Sequence, residues 1–181
     1  MTRWFRAPEI SLEDPHYDER IDVWSVGCTF AEIIARKTLF PSRSDLDHFP
    51  TILRQLQPDD KLPTDEDWPN FNGYFNRVYP RGMPARPEGK GLGSLKNFFA
   101  NVPETAQSIL ADGETIEILE FILQICPKKR PTCEEILNHK FFEDLESNFV
   151  LSIDGVSKPT APTTIDIDGD NPALGKRSKP E

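Results

Sequence analysis

Between Asp18 and Arg36 lies a segment whose apolar residues cover most of a helical circumference: Ile21, Val23, Trp24, Val26, Cys28, Phe30, Ala31, Ile33, Ile34 and Ala35. A surface helix carries one apolar stripe, whereas a helix that is apolar nearly all round must be enclosed. At 1.5 Å per residue the segment spans ~28 Å, enough to cross a small domain. The remaining chain is therefore expected to wrap around a helix at 18–36. Asp18 suits its N-cap, and Arg36 and Lys37 suit the negative end of its dipole. Gly27 costs about 1 kcal/mol relative to alanine in a helix interior, so a neighbour is expected to approach the backbone closely there.

The flanking segments carry weaker signals. Pro8 suits a first helical position and predicts one or two turns over residues 7–14. Ser44-Asp45-Leu46-Asp47 resembles a capping box opening a second helix that carries Leu46, Phe49, Ile52, Leu53 and Leu56, with Pro50 in its early turns. Residues 57–111 are the least regular: Thr64 to Pro69 predict a turn pinned by Trp68, and Pro80 to Gly93 an exposed loop. From Glu114 the apolar run Ile116, Ile118, Leu119, Phe121, Ile122, Leu123 and Ile125 predicts a buried helix ended by Pro127. Thr132-Cys133-Glu134-Glu135 is a capping box for a last helix, with Ile136, Leu137, Phe141 and Phe142 inward. The 17 prolines fit long connecting loops. The expected fold is mainly α, helices around one buried central helix, with long loops. Beyond residue 150 aromatic residues are absent, while proline, threonine and Asp-Gly pairs accumulate. Residues 1–145 are thus expected to form the folded part and residues 146–181 a disordered tail.

Composition narrows the function classes. A net charge of −9 over 181 residues argues against non-specific binding to nucleic acid or anionic membranes. No apolar run has the length needed to cross a bilayer, and the N-terminus has no signal-peptide pattern. Three cysteines without a C-x-x-C pair suit a reducing compartment, and Cys28, Cys126 and Cys133 are expected to be buried thiols. The expectation is a soluble, intracellular protein. His16, His48 and His139 show no metal spacing, and no nucleophile–base pair stands out. Gly89-Lys90-Gly91-Leu92-Gly93-Ser94 hints at a phosphate-cradling loop but lacks both G-x-G-x-x-G and the G-K-[ST] ending, so it is read as a flexible loop.

Three words carry a resemblance. Thr2-Arg3-Trp4-Phe5-Arg6-Ala7-Pro8-Glu9 contains the Ala-Pro-Glu that closes a kinase activation segment. Asp22-Val23-Trp24-Ser25-Val26-Gly27-Cys28 is similar to the word on the central helix of the kinase large lobe. Lys129-Arg130-Pro131-Thr132 resembles the arginine-bearing word before the last helix. From Thr2 to about Phe142 the chain thus resembles the lower half of a protein-kinase large (C-terminal) lobe, of the proline-directed group. Asp45-Leu46-Asp47 and Asp67-Trp68-Pro69 narrow the resemblance to cyclin-dependent kinases. Asp170-Asn171-Pro172-Ala173-Leu174 with Lys176-Arg177 is similar to the tail of the CDK-activating kinases of transcription factor IIH. Phe5 departs from the usual tyrosine, Cys126 from the usual Asp or Asn, and the loops at 57–63 and 81–111 look longer than in relatives.

The resemblance implies roles. Thr2, Trp4 and Arg6 would belong to the substrate-binding strap. Arg6 would occupy a backbone carbonyl just before Thr2, leaving no acceptor for a substrate N–H, which suits proline. Arg3 and Arg6 could meet a phosphate on the activation segment; without the resemblance, two arginines near a terminus are merely solvated. Glu9 would pair with Arg130, although two charges so far apart in sequence are usually unrelated. Asp22 and Trp24 would anchor the catalytic loop; taken alone, Asp22 is a dipole partner in a first turn.

No Gly-rich loop, strand lysine, catalytic-loop Asp/Asn or D-F-G aspartate occurs. No catalytic, cofactor or metal residue is therefore assigned in this chain; ATP and Mg would belong to the full-length family. Two functions follow: the C-terminal piece of a cyclin-dependent Ser/Thr kinase, or a short non-catalytic, pseudokinase-like binding module. The first implies protein substrates with Ser/Thr-Pro, a cyclin and an assembly factor, no direct nucleic acid and no membrane. It also implies nuclear or cytoplasmic residence, with the nucleus favoured. With the catalytic loop missing, apolar surface around Trp24 and Cys28 is expected to be exposed.

Overall fold

A computed structural model describes residues 2–57, 61–84, 93–100, 102–111 and 113–143. Every regular element among them is helical. The expected tail at 146–181 and most of the Pro80–Gly93 loop lie outside the described residues.

Helix α2 (Arg20–Ala35) is the post, and it buries Val23, Trp24, Gly27, Cys28, Ala31, Ile34 and Ala35. It is shorter than expected at both ends. Asp18 accepts the Arg20 N–H at 3.0 Å and pairs with the Arg20 guanidinium, leaving Glu19 at the N-cap without a side-chain bond. Arg36 stops the helix in the left-handed region (φ 52°), its N–H on the Glu32 carbonyl at 2.7 Å. Lys37 leaves the helix end altogether: its ammonium donates to the Phe98 carbonyl at 2.7 Å and sits over the Phe98 ring. A Cβ on Gly27 would stand 2.6 Å from Ile122 Cγ2 and 2.9 Å from Leu123 Cδ2. Only a hydrogen at that position lets α7 (Glu114–Ile122) pack against the α2 backbone. The α7 helix ends at Ile122, well before Pro127, with Leu123 N–H on the Leu119 carbonyl.

Around the post, α1 (Pro8–Ser11) begins at Pro8, and α3 (Asp45–Leu56) is capped by Ser44, whose hydroxyl accepts the Asp47 N–H at 3.2 Å. Phe49, Ile52 and Leu53 of α3 are buried, while Leu46 is exposed. Pro50 cannot donate to the Leu46 carbonyl, the acceptor four residues back. The Tyr79 hydroxyl fills that place, donating to the Leu46 carbonyl at 2.9 Å. A proline inside a helix is thus matched by a donor from elsewhere in the chain.

The segment read as irregular contains three short helices: α4 (Phe71–Val78), α5 (Leu95–Phe99) and α6 (Glu104–Leu110). Phe71, Tyr74, Phe75 and Val78 do recur at helical spacing, a signal masked by Gly73 and the surrounding asparagines. The Phe71 and Phe75 rings stack on each other and meet Phe49 and Tyr79 tilted or edge-on, at centroid distances of 5.3–6.4 Å, closing the core against α3. Trp68 does pin its turn: the indole N–H donates to the buried Asp14 carboxylate at 2.8 Å. Helix α8 (Cys133–Leu137) carries the full capping box between Thr132 and Glu135. Two expectations fail there. Leu137 faces solvent and Cys133 is exposed, because a helix of 5 residues has too few turns to bury both positions flanking Ile136. Cys28 and Cys126 are buried, and burial pushes both thiols above the usual range.

Candidate functional site

Glu9, at the start of α1, and Arg130, after the turn Pro127–Lys129, meet inside the protein although 121 residues separate them. Both are about 1% exposed. The guanidinium grips both carboxylate oxygens, at 2.7 and 2.9 Å. Its other donors reach the Arg20 carbonyl at 2.8 Å and the Gln124 carbonyl at 3.3 Å. Arg20 reciprocates, its Nε donating to the Arg130 carbonyl at 3.0 Å. The guanidinium carbon lies 5.1 Å from the Trp24 ring centroid. All five N–H donors of Arg130 therefore have acceptors, the condition under which a buried charge pair is tolerated.

This pair holds the root of a strap, Thr2–Arg6. Thr2 is exposed and extended, followed by one tight turn, Arg3–Phe5. The strap lies across the loop that leads into α3. Trp4, 40% exposed, donates its indole N–H to the Ser42 carbonyl at 3.0 Å. Arg3 and Arg6 converge on one oxygen of Asp45, at 2.8 and 3.4 Å, and Arg3 also reaches the Arg43 carbonyl. The hydrogen bond from Arg3 holds the Asp45 carboxyl below the usual carboxylate range, with both guanidinium charges acting in the same direction. Ser25, on α2, donates to the Phe5 carbonyl at 3.0 Å. Beneath the strap lies a residue that received no site role from the sequence. His48 of α3 is 1% exposed, with Nε2 2.9 Å from the Arg6 carbonyl and Nδ1 3.0 Å from the Ser42 hydroxyl.

Asp22 and Trp24 point to different places. Trp24 is fully buried and stacks on Phe40 at 5.5 Å. Cys28 is fully buried as well, so the expectation of exposed apolar surface around these two residues is corrected. The open apolar surface lies on the opposite face of α2, where Val26 is 60% and Ile33 69% exposed. With Phe30, Ile122, Ile136, Phe141 and Phe142 they line a groove of about 770 Å³, and Asp22 stands at its rim. The central helix is therefore enclosed on one side and open on the other.

The arrangement presents a rigid strap carrying an indole and two guanidiniums, fit to hold an extended peptide or an anion. Among the described residues no group of three or more His, Cys, Asp or Glu side chains converges as a metal site would require. No helix among them is long and apolar enough to cross a membrane.

Comparison with known proteins accords with this architecture. Residues 1–142 match the family model described as protein kinase domain. The chain is 37% identical over 142 residues to mitogen-activated protein kinase p38a of Drosophila melanogaster, covering 78% of this chain and 34% of that one. It is 34% identical to serine/threonine-protein kinase ICK of Rattus norvegicus over 145 residues, 78% of this chain and 20% of that one. It is 32% identical to cyclin-dependent kinase G1 of Arabidopsis thaliana, covering 80% of this chain and 22% of that one. The chain thus spans between a fifth and a third of the length of these relatives. It belongs to the protein kinase family, as a helical part of the large lobe with relatives among MAP kinases, ICK and cyclin-dependent kinases.

Proposed function

We propose that this chain is the substrate-side portion of a cyclin-dependent Ser/Thr protein kinase of the CDK-activating type. The observation that carries it is the buried Glu9–Arg130 pair, which fixes the strap to the last helical region, with Trp4 exposed and the half-buried Arg3 and Arg6 guanidiniums together on Asp45. In the whole enzyme the strap would receive the residue after the target Ser or Thr, with Thr2, Trp4 and Arg6 shaping the pocket. Arg3 and Arg6 would exchange Asp45 for a phosphate on the activation segment, since a dianion competes well for paired guanidiniums. Asp22, at the groove rim, would meet the catalytic loop. Substrates would be activation segments of other cyclin-dependent kinases and Ser-Pro-rich protein tails, with a cyclin and an assembly factor as partners and the nucleus as the main location. ATP and Mg would be held by elements other than those described.

Phosphate transfer to a Ser-Pro peptide tests the proposal, together with calorimetric nucleotide titration. Residues 1–181 alone should be silent in both, and a longer chain carrying the Gly-rich, H-R-D and D-F-G words should be active. Mg-dependent ATP binding by residues 1–181 would overturn the assignment of roles. An inactive longer chain would favour a non-catalytic binding module.

A further inference from the structure

We propose that a segment of this chain itself, Phe149-Val150-Leu151-Ser152-Ile153, closes the apolar groove on the open face of α2. The inference concerns residues 1–181 and does not rest on the kinase function proposed above. Val26 and Ile33 stand open to solvent, and with Phe30, Phe141 and Phe142 they line about 770 Å³ of apolar space. Monomeric proteins rarely leave a contiguous apolar surface of this kind bare. The position of its walls points to what covers it. Phe141 and Phe142 belong to the turn Lys140–Phe142, and the described residues end one position later, at Glu143. The chain beyond Glu143 therefore departs from the edge of the groove. Phe149 follows six positions on, and six extended residues cover at most ~20 Å, so the segment starts within reach of the groove.

The sequence of that segment suits the site. Phe149 is the last aromatic residue of the chain, and Phe149, Val150, Leu151 and Ile153 form the densest apolar group after Glu143. Acidic residues bracket it, Asp144 and Glu146 before and Asp154 after, which gives the apolar stretch defined ends. Its period matches the groove floor. In an extended strand Phe149, Leu151 and Ile153 share one side and span ~13 Å at about 3.3 Å per residue. On α2, Val26, Phe30 and Ile33 share one face and span ~10 Å at 1.5 Å per residue. Three apolar side chains thus meet three apolar positions over nearly the same length, with Val150 and Ser152 turned away. The short link from Glu143 also keeps the segment at an effective concentration in the millimolar range, which favours it over a second copy of the chain.

Amide hydrogen exchange on residues 1–181 tests the proposal. The amides of residues 150–153 should exchange at least about tenfold more slowly than those after Gly155, to the same extent at low and high protein concentration. Ile33→Asp puts a charge into the groove at an exposed position and should abolish that protection. Phe149→Ser should abolish it as well, and should raise the fluorescence of an apolar dye several-fold as the groove opens. Val150→Ser, on the other side of the strand, should leave both readings unchanged. Should Ile33→Asp fail to fold, the contrast between Phe149→Ser and Val150→Ser carries the test, because neither residue belongs to the described helices. Rapid exchange of residues 150–153 in the wild type overturns the proposal. Protection that survives Ile33→Asp overturns it too, since the segment then lies elsewhere. Protection that grows with concentration, alongside a doubled mass in light scattering, gives the groove to a second copy and likewise overturns it.

Discussion

Replacing Arg130 by alanine strands a carboxylate in the protein interior. Glu9 is 1% exposed, and the change removes both of its partners, at 2.7 and 2.9 Å. The Arg20 carbonyl also loses a donor at 2.8 Å, the Gln124 carbonyl loses one at 3.3 Å, and Trp24 loses the cation on its face. An uncompensated buried charge costs ~3–5 kcal/mol and each of the two carbonyls left without a donor adds about 1, so the single change should cost roughly 5–7 kcal/mol. Against a domain stability of roughly 5–15 kcal/mol, that brings the fold close to its limit. Glu9→Ala should cost less, because the guanidinium keeps its two carbonyl partners. In the double variant no charge is left alone, so its cost should fall short of the summed singles by about 2–3 kcal/mol. Urea unfolding followed by tryptophan fluorescence measures all four corners of the cycle. Arg130→Lys belongs in the series as well: it keeps the charge but not the two-pronged grip, and should recover only part of the loss. Additivity within ~0.5 kcal/mol would show that the two residues do not act as a pair, and the strap would lose its root.

Three further outcomes are expected. Gly27→Ala should lower thermal stability by about 1–2 kcal/mol even though alanine favours helix, because its Cβ would meet the stiff Ile122 methyl at 2.6 Å; a raised melting temperature would refute the packing argument. Tyr79→Phe should cost about 1–2 kcal/mol by orphaning the Leu46 carbonyl, and clearly less in a Pro50→Ala background, where the helix supplies its own N–H. The lowered pKa of His48 means the unfolded chain takes up a proton first. Stability should therefore be full above the ordinary histidine pKa and decline as pH falls through it, with burial, Arg6 and Arg3 opposing protonation and the bond to the Arg6 carbonyl and Asp45 favouring it. His48→Gln should flatten that acidic slope in denaturant titrations from pH 7.5 to about 5.

What the linear chain determined is local. The apolar belt of 18–36 marked the central helix, although only one of its faces is enclosed; Ser44 and Thr132 announced helix starts that their hydroxyls do cap, and Gly27 announced a close neighbour that proves to be Ile122. Each of these depends on groups within a few residues or on a pattern repeated along one helix, so the information is contained in the sequence order. The pairing of Glu9 with Arg130 was readable only through the resemblance of the words that contain them, since nothing in two charges 121 positions apart specifies contact. Other features were decided by packing alone. Leu137 was expected inward yet faces solvent, because a helix of 5 residues has too few turns to bury it beside Ile136. Helices α4, α5 and α6 have 5 to 8 residues each, too few to hold together by propensity, and exist because Phe71 and Phe75 of α4, Phe98 and Phe99 of α5 and Ala106 of α6 find a core to enter. His48 looked like an unremarkable residue in the first turns of a helix. Its role depends on the Arg6 carbonyl and the Ser42 hydroxyl arriving on either side of one ring, an arrangement of three separate stretches of chain that only the folded protein brings together.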